Sequence, residues 1–162
     1  MRMSNMSAND PLKDTELTFL LGMAFQLALA EFVRRLDAEG YDDLRPVHGL
    51  AFQAIGAGGI TSTELATRLG VTKQAAGQIV TYLEGRGYVR RDEHAAGGRR
   101  RLVVLTDQGR EHLAVAGRTL HALERRVGAE LGEGGVDLLR EQLAVLIREL
   151  SEGDPPPLRP TW

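Results

Sequence analysis

Hydrophobic positions recur at helical intervals at both ends of the chain and change rhythm in its middle. Between about Asp14 and Glu39, apolar residues fall at 17, 20, 21, 24 and 28 and again at 25, 29, 32 and 36. Two overlapping stripes predict a helix buried on more than one side, within its own subunit and against a partner. Asp43 to Ile55 reads as a shorter helix before Gly56-Ala57-Gly58-Gly59. That glycine run follows no strand pattern and has neither dinucleotide-binding nor phosphate-loop spacing, so it reads as a turn. Towards the other end, Leu113, Ala116, Leu120, Leu123, Val127 and Leu131 keep helical spacing until Gly132-Glu133-Gly134-Gly135. Val136, Leu139, Leu143, Leu146 and Leu150 then alternate intervals of three and four, a seam suited to a facing helix. These terminal helices hold more apolar surface than a small central unit covers, which predicts a dimerisation layer. An intramolecular helical bundle is the alternative.

The middle is punctuated differently. Thr61-Ser62-Thr63-Glu64 has the form of a capping box, with Thr61 as N-cap and Glu64 three residues on, opening a helix to about Arg68. Leu69-Gly70-Val71 supplies a tight turn, and Thr72 can cap a second helix to about Arg86. Small Ala66 and Gly70, with apolar Leu65, Leu69, Val71, Ala76, Ile79 and Leu83, let the two helices cross closely as a helix-turn-helix. Thr72, Lys73, Gln74, Gly77, Gln78 and Thr81 are then left facing outward, near the N-terminal end where a recognition helix meets base edges and phosphates. Gln74 and Gln78 suit adenine edges, and Lys73 suits guanine or a phosphate. Gly77 costs roughly 1 kcal/mol of helix propensity relative to alanine, which a close backbone approach would explain. An ordinary solvated helix face is the competing reading.

Gly87 stands where a left-handed stop is expected, Tyr88-Val89-Arg90-Arg91 reads as a strand and Leu102-Val103-Val104-Leu105 as its return. Between them, Asp92 to Arg101 ends in three consecutive arginines, a basic tip suited to the narrow, negative minor groove. A helix-turn-helix followed by a two-stranded basic wing predicts a winged helix. The fold class expected is mainly α with a small β-hairpin wing, flanked by N- and C-terminal dimerisation helices.

Charge at first argues against a nucleic-acid partner, because 20 Lys+Arg against 22 Asp+Glu leave the 162-residue chain at −2. Counted by region the answer reverses. Nine basic and five acidic side chains between 61 and 110 give that stretch +4, leaving −6 for the rest. The basic middle can face phosphates while the acidic ends need not. With no cysteine, disulfides, thiolate zinc sites, thiol nucleophiles and cysteine redox switches are excluded together. The run Phe19 to Ala30 is too short to span a bilayer, and Asp10, Asp14 and Glu16 replace the positive region a secretory signal needs. A cytoplasmic protein without a membrane partner is expected. No Ser/His/Asp order, paired carboxylates in a glycine-framed cleft or HExxH motif points to an enzyme, and no cofactor is expected.

The order of long helix, short helix, helix-turn-helix, wing and two C-terminal helices resembles the MarR family of bacterial transcription regulators over about residues 15–150. The residues that carry the resemblance are Thr63-Glu64-Leu65-Ala66, Gly70-Val71-Thr72-Lys73-Gln74, Leu83 through Arg91, and Leu105-Thr106-Asp107-Gln108-Gly109-Arg110. It implies a triangular homodimer whose two winged-helix lobes read a pseudo-palindromic operator in double-stranded DNA. Counting back from Leu105-Thr106, the family's Asp-x-Arg wing pattern falls on Gly97-Gly98-Arg99, so Arg99 inherits the minor-groove role while Gly97 replaces the steadying aspartate. The expected DNA-contacting set is Thr61, Ser62, Thr72, Lys73, Gln74, Gly77, Gln78, Thr81, Arg91, Arg99 and Arg100. Members often respond to small aromatic or lipophilic molecules held between the two layers, and Phe25, Phe32, Tyr41, His48 and Phe52 are candidates to line such a cleft. Aromatic residues at helical spacing more often belong to a core. Metal sensing is not expected, because His112 and His121 lie ~13.5 Å apart along one helix and His48 and His94 belong to other segments.

The expected organisation is a flexible tail at 1–13, a dimerisation helix at 14–42, the DNA-binding domain at 43–106 with its recognition helix at about 72–86 and wing at about 89–105, C-terminal dimerisation helices at 107–150, and a flexible proline-rich tail at 151–162. The expected function is sequence-specific regulation of transcription, most simply repression relieved by a ligand. A winged helix used for protein–protein contact, without sequence-specific DNA binding, is the alternative.

Overall fold

Turn and cap chemistry decides where each helix begins. In the computed structural model, which describes residues 10–93, 101–151 and 154–158, helix α1 spans Leu17–Ala38. It starts at Leu17 rather than Asp14 for a local reason. The Asp10 carboxylate accepts the Leu12 N–H at 3.0 Å, and the Lys13 N–H bonds to the Asp10 carbonyl, so this stretch turns instead of beginning the helix. Helix α2, Pro46–Ile55, likewise starts later than Asp43. Proline suits the first helical position and disfavours helical backbone in the residue before it, and Arg45 is extended. The His48 Nδ1 accepts the Arg45 N–H at 2.9 Å and closes the helix start.

Strand β1 is Ile60–Thr61, followed by α3, Ser62–Leu69, and α4, Lys73–Gly85. The Thr61 hydroxyl accepts the Glu64 N–H at 3.2 Å while the Glu64 carboxylate accepts the Thr61 N–H at 2.9 Å, the reciprocal cap expected from the sequence. Gly70 ends α3 in the left-handed conformation, and the Thr72 hydroxyl accepts the Ala75 N–H at 3.1 Å to open α4. Strands β2, Val89–Glu93, and β3, Arg101–Leu105, pair antiparallel from Val89 opposite Leu105 to Glu93 opposite Arg101.

The sheet has three strands where the sequence suggests a two-stranded wing. β1 takes the other edge of β3, with Ile60 opposite Val103 and Thr61 opposite Leu102. A two-residue strand carries no alternation of its own and exists only through a distant partner. Helix α5, Asp107–Leu131, is capped by Thr106, whose hydroxyl accepts the Gly109 N–H at 3.2 Å and donates to the Gly87 carbonyl at 2.6 Å. Helix α6 spans Gly135–Ser151.

One core joins α2, α3, α4 and the sheet through Phe52, Ile55, Leu65, Leu69, Val80, Leu83, Val89, Val103 and Leu105. A smaller one joins Leu36 of α1 to Val115 and Ala116 of α5, with Tyr41 packed against both. The terminal helices are otherwise poorly covered within the single chain. Leu36 is the buried residue of α1 and α6 has none. Phe19, Leu27, Leu131, Leu138 and Leu150 stand exposed. Helix α1 is also long and apolar enough to cross a membrane by length and composition, a property it shares with helices that protein surfaces cover.

Candidate nucleic-acid interface

Helix α4 carries two stripes about 160° apart around its axis. Ala76, Val80 and Leu83 form the inner stripe and are buried, while Gln74, Gln78 and Thr81 form the outer one and are exposed beside Thr72 and Lys73. Helix α3 packs across the inner stripe through Leu65 and Leu69. The capped end of α4 thus presents amide, ammonium and hydroxyl groups together with the positive end of the helix dipole, the chemistry that reads base edges and holds phosphates. At half-exposed Gly77, an added Cβ would meet nothing within 4 Å. Packing inside the fold gives no reason for glycine there.

Other expected contacts already have intramolecular partners. Thr61 is engaged in the α3 cap, and Ser62, the first residue of α3, is half-buried beside it. The Arg91 guanidinium pairs with Glu84 and donates to the Thr81 hydroxyl at 3.3 Å, so the base of the wing is fastened to the outer half of α4. Arg90 forms a two-pronged pair with Asp92 at 2.8 Å. Arg101 opens β3 on an exposed position. Arg99 and Arg100 lie outside the described residues.

Behind this face sits an aromatic group that composition did not point to. His48 stacks on Tyr82 with ring centres 4.8 Å apart and planes 14° from parallel. His112 lies edge-on to Tyr41 at 4.6 Å and tilted against Phe52 at 4.8 Å. Burial holds both imidazoles below the ordinary histidine value, with Arg45 adding to the effect on His48, His48 adding to that on His112, and Asp43 opposing both. His112 is only 2% exposed and its Nδ1 has no hydrogen-bond partner.

His112 also borders a cleft of about 400 Å³ between α1, α2 and α5. Phe25 and Phe32 line it as expected, joined by Leu29, Leu36, Leu50, Leu113, Ala116 and Leu120. Phe52 and His48 do not line it. Phe52 is fully buried and His48 nearly so, both enclosed by the aromatic group, while Tyr41 bridges the two cores. Sequence reasoning missed His112 because it was weighed only as a metal ligand; its i+4 spacing with Ala116 and Leu120 was the available signal. Among the described residues no cluster of three or more metal-ligating side chains occurs.

Comparison with known proteins agrees with this architecture. The MarR family model matches residues 42–101, the span from α2 through the wing. A probable transcriptional regulator from Pseudomonas aeruginosa is 27% identical with a TM-score of 0.65, over 83% of this chain and 98% of that one. The transcriptional repressor CouR, solved bound to a 23-mer DNA duplex, is 28% identical with a TM-score of 0.64, over 81% of this chain and 92% of that one. MepR, a transcription regulator of the Staphylococcus aureus multidrug efflux pump MepA, shares the fold with a TM-score of 0.70 at 17% identity, over 84% of this chain and 99% of that one. Among curated protein sequences none matches. The segment from α2 through the wing fits the MarR family model, and the helical frame around it is similar to that of MarR-type winged-helix transcription regulators.

Proposed function

We propose that the protein is a homodimeric repressor that reads a pseudo-palindromic operator with the N-terminal half of α4 and is released from it by a small lipophilic or aromatic ligand. The observation that carries this reading is the outer stripe of α4: Lys73, Gln74 and Gln78 stand exposed in the turns that follow the Thr72 cap, with Thr81 further along beside Arg91 of the wing. Two lobes must meet half-sites about one helical turn apart, roughly 34 Å. The apolar surface left open on α1, α5 and α6 supports a second copy as the partner that covers it.

The cleft between α1 and α5 supports the ligand. Its walls are apolar, which suits a lipophilic or aromatic molecule. A ligand that binds better to one lobe spacing shifts the population towards it.

The test is titration of the DNA upstream of the protein's own coding sequence at several salt concentrations. Affinity should fall steeply with salt as phosphate contacts are screened and counterions return. No binding, or a flat salt dependence, would replace this reading with a protein–protein role for the winged helix.

A further inference from the structure

We infer that the apolar cleft has an occupant built into the chain: the segment that follows Leu158, with the indole of Trp162 as the group that enters. Leu158 itself borders the cleft, although it follows α6 and lies far in sequence from the residues of α1, α2 and α5 that form most of the lining. It remains 65% exposed, so it sits at the mouth and leaves the space beneath it open. The chain reaches this point through Pro155-Pro156-Pro157. Consecutive prolines hold an extended backbone and have little conformational freedom left to lose, so delivering the next residues to the cleft costs little entropy.

The residues that come next are Arg159-Pro160-Thr161-Trp162, which lie outside the described residues. Fully extended, four residues reach about 13 Å, enough to pass from the mouth of a cavity of this size to its floor. Trp162 is the single tryptophan of the chain. An indole fits within an apolar cavity of about 400 Å³. Polarity also selects this segment: Leu158, Pro160 and Trp162 are apolar, as are the walls of the cleft.

The inference rests on the proposed effector site only for its consequence, that an outside ligand must displace the segment before it binds. Docking itself is tested without DNA or effector. With one tryptophan, fluorescence of the full-length protein reports on Trp162 alone. Its emission should be blue-shifted relative to N-acetyltryptophanamide and shielded from iodide, and both properties should persist on dilution to the monomer as followed by light scattering. The apolar dye 8-anilinonaphthalene-1-sulfonate should shift the emission back as it competes. The Trp162→Ala variant should bind the dye roughly tenfold more tightly, a change of about 1.4 kcal/mol. An occupant that weakens dye binding tenfold stabilises the fold by the same factor, so thermal unfolding of that variant should show a stability lowered by no more than about 1.4 kcal/mol. Emission like that of the free amide with full iodide access would overturn the inference. So would a blue shift that disappears with the dimer, which would place the indole against a second copy, or dye affinity unchanged by Trp162→Ala.

Discussion

The hydroxyl of Tyr82 donates a 2.6 Å hydrogen bond to the backbone carbonyl of Asp43, joining the outer half of the recognition helix to the loop before α2. The Asp43 carboxylate strengthens the same junction. It accepts the Tyr88 hydroxyl at 3.1 Å and pairs with Arg86 at 3.3 Å, while His48 stacks on the Tyr82 ring. The neighbouring Leu44 and Arg45 border the apolar cleft. Direct contacts therefore join this loop, which borders the cleft, to α4 and the start of β2.

Asp43→Ala should destabilise the fold by about 1–2 kcal/mol in urea unfolding. The Arg86 pair contributes little to that, because the guanidinium is more than half exposed and solvent screens it. Most of the loss comes from Tyr88, 3% exposed, whose hydroxyl would lose its acceptor. Burial and the neighbouring carboxylate push the Tyr88 hydroxyl up to about 12. An unfolded tyrosine releases its proton near pH 10, so stability should hold below about pH 10 and decline as pH rises towards 12. Alkaline unfolding of Tyr88→Phe should lack this decline; an unaltered profile would reject the assignment.

Gly77→Ala should move two measurements in opposite directions. Removing a glycine from a helix interior stabilises by about 1 kcal/mol, and the space around the position is open. If a DNA backbone approaches closely there, the added methyl should weaken operator binding in fluorescence anisotropy. A more stable protein with undiminished affinity would show that close approach is not the reason for the glycine.

Gln74→Ala should alter base preference at one operator position, whereas Arg99→Ala should weaken binding across all sequences. Binding to a set of single-base operator variants separates the two. Equal loss on every variant for Gln74→Ala would remove its base-reading role.

Gly109→Ala should be strongly destabilising, by about 2–3 kcal/mol or more. Helix α5 passes so close to the Tyr88 carbonyl that an added Cβ would collide with it, and the obstacle is backbone, which cannot swing aside. Thermal unfolding checks this directly. A variant as stable as the parent would mean that α5 lies farther from β2.

The two buried histidines set an acid limit. Both are held below the ordinary value near 6.5, so the unfolded chain takes up protons that the fold excludes. Stability should be full at about pH 8, fall as pH drops through about 6.5, and level off once the imidazoles protonate within the fold. His112→Gln should reduce the slope of the unfolding midpoint between about pH 8 and pH 5.5. An unchanged slope would assign the dependence to other groups.

Several features were legible in the sequence because they depend on neighbours a few residues apart. The Thr61–Glu64 cap, the left-handed Gly70 and the Thr72 cap of α4 all stand where short-range hydrogen bonding and glycine's freedom at positive φ require them. The outer stripe of α4 followed from helical periodicity alone. Pairings across long separations were not legible. Strand β1 has no pattern until β3 lies beside it, and Arg91 looked like a free cation until β2 brought it against Glu84.

The aromatic residues show most clearly where the two kinds of information part. By itself the sequence determined which segments are helices, the caps that open α3 and α4, and that the middle of the chain is basic, since backbone preferences, caps and net charge are local properties. It could not tell Phe32, which borders the cleft, from Phe52, which is enclosed beside His112 and Tyr88. Only the tertiary structure decided that, because burial is a property of what the rest of the chain brings to a side chain, and the walls around these two rings come from helices far apart in sequence.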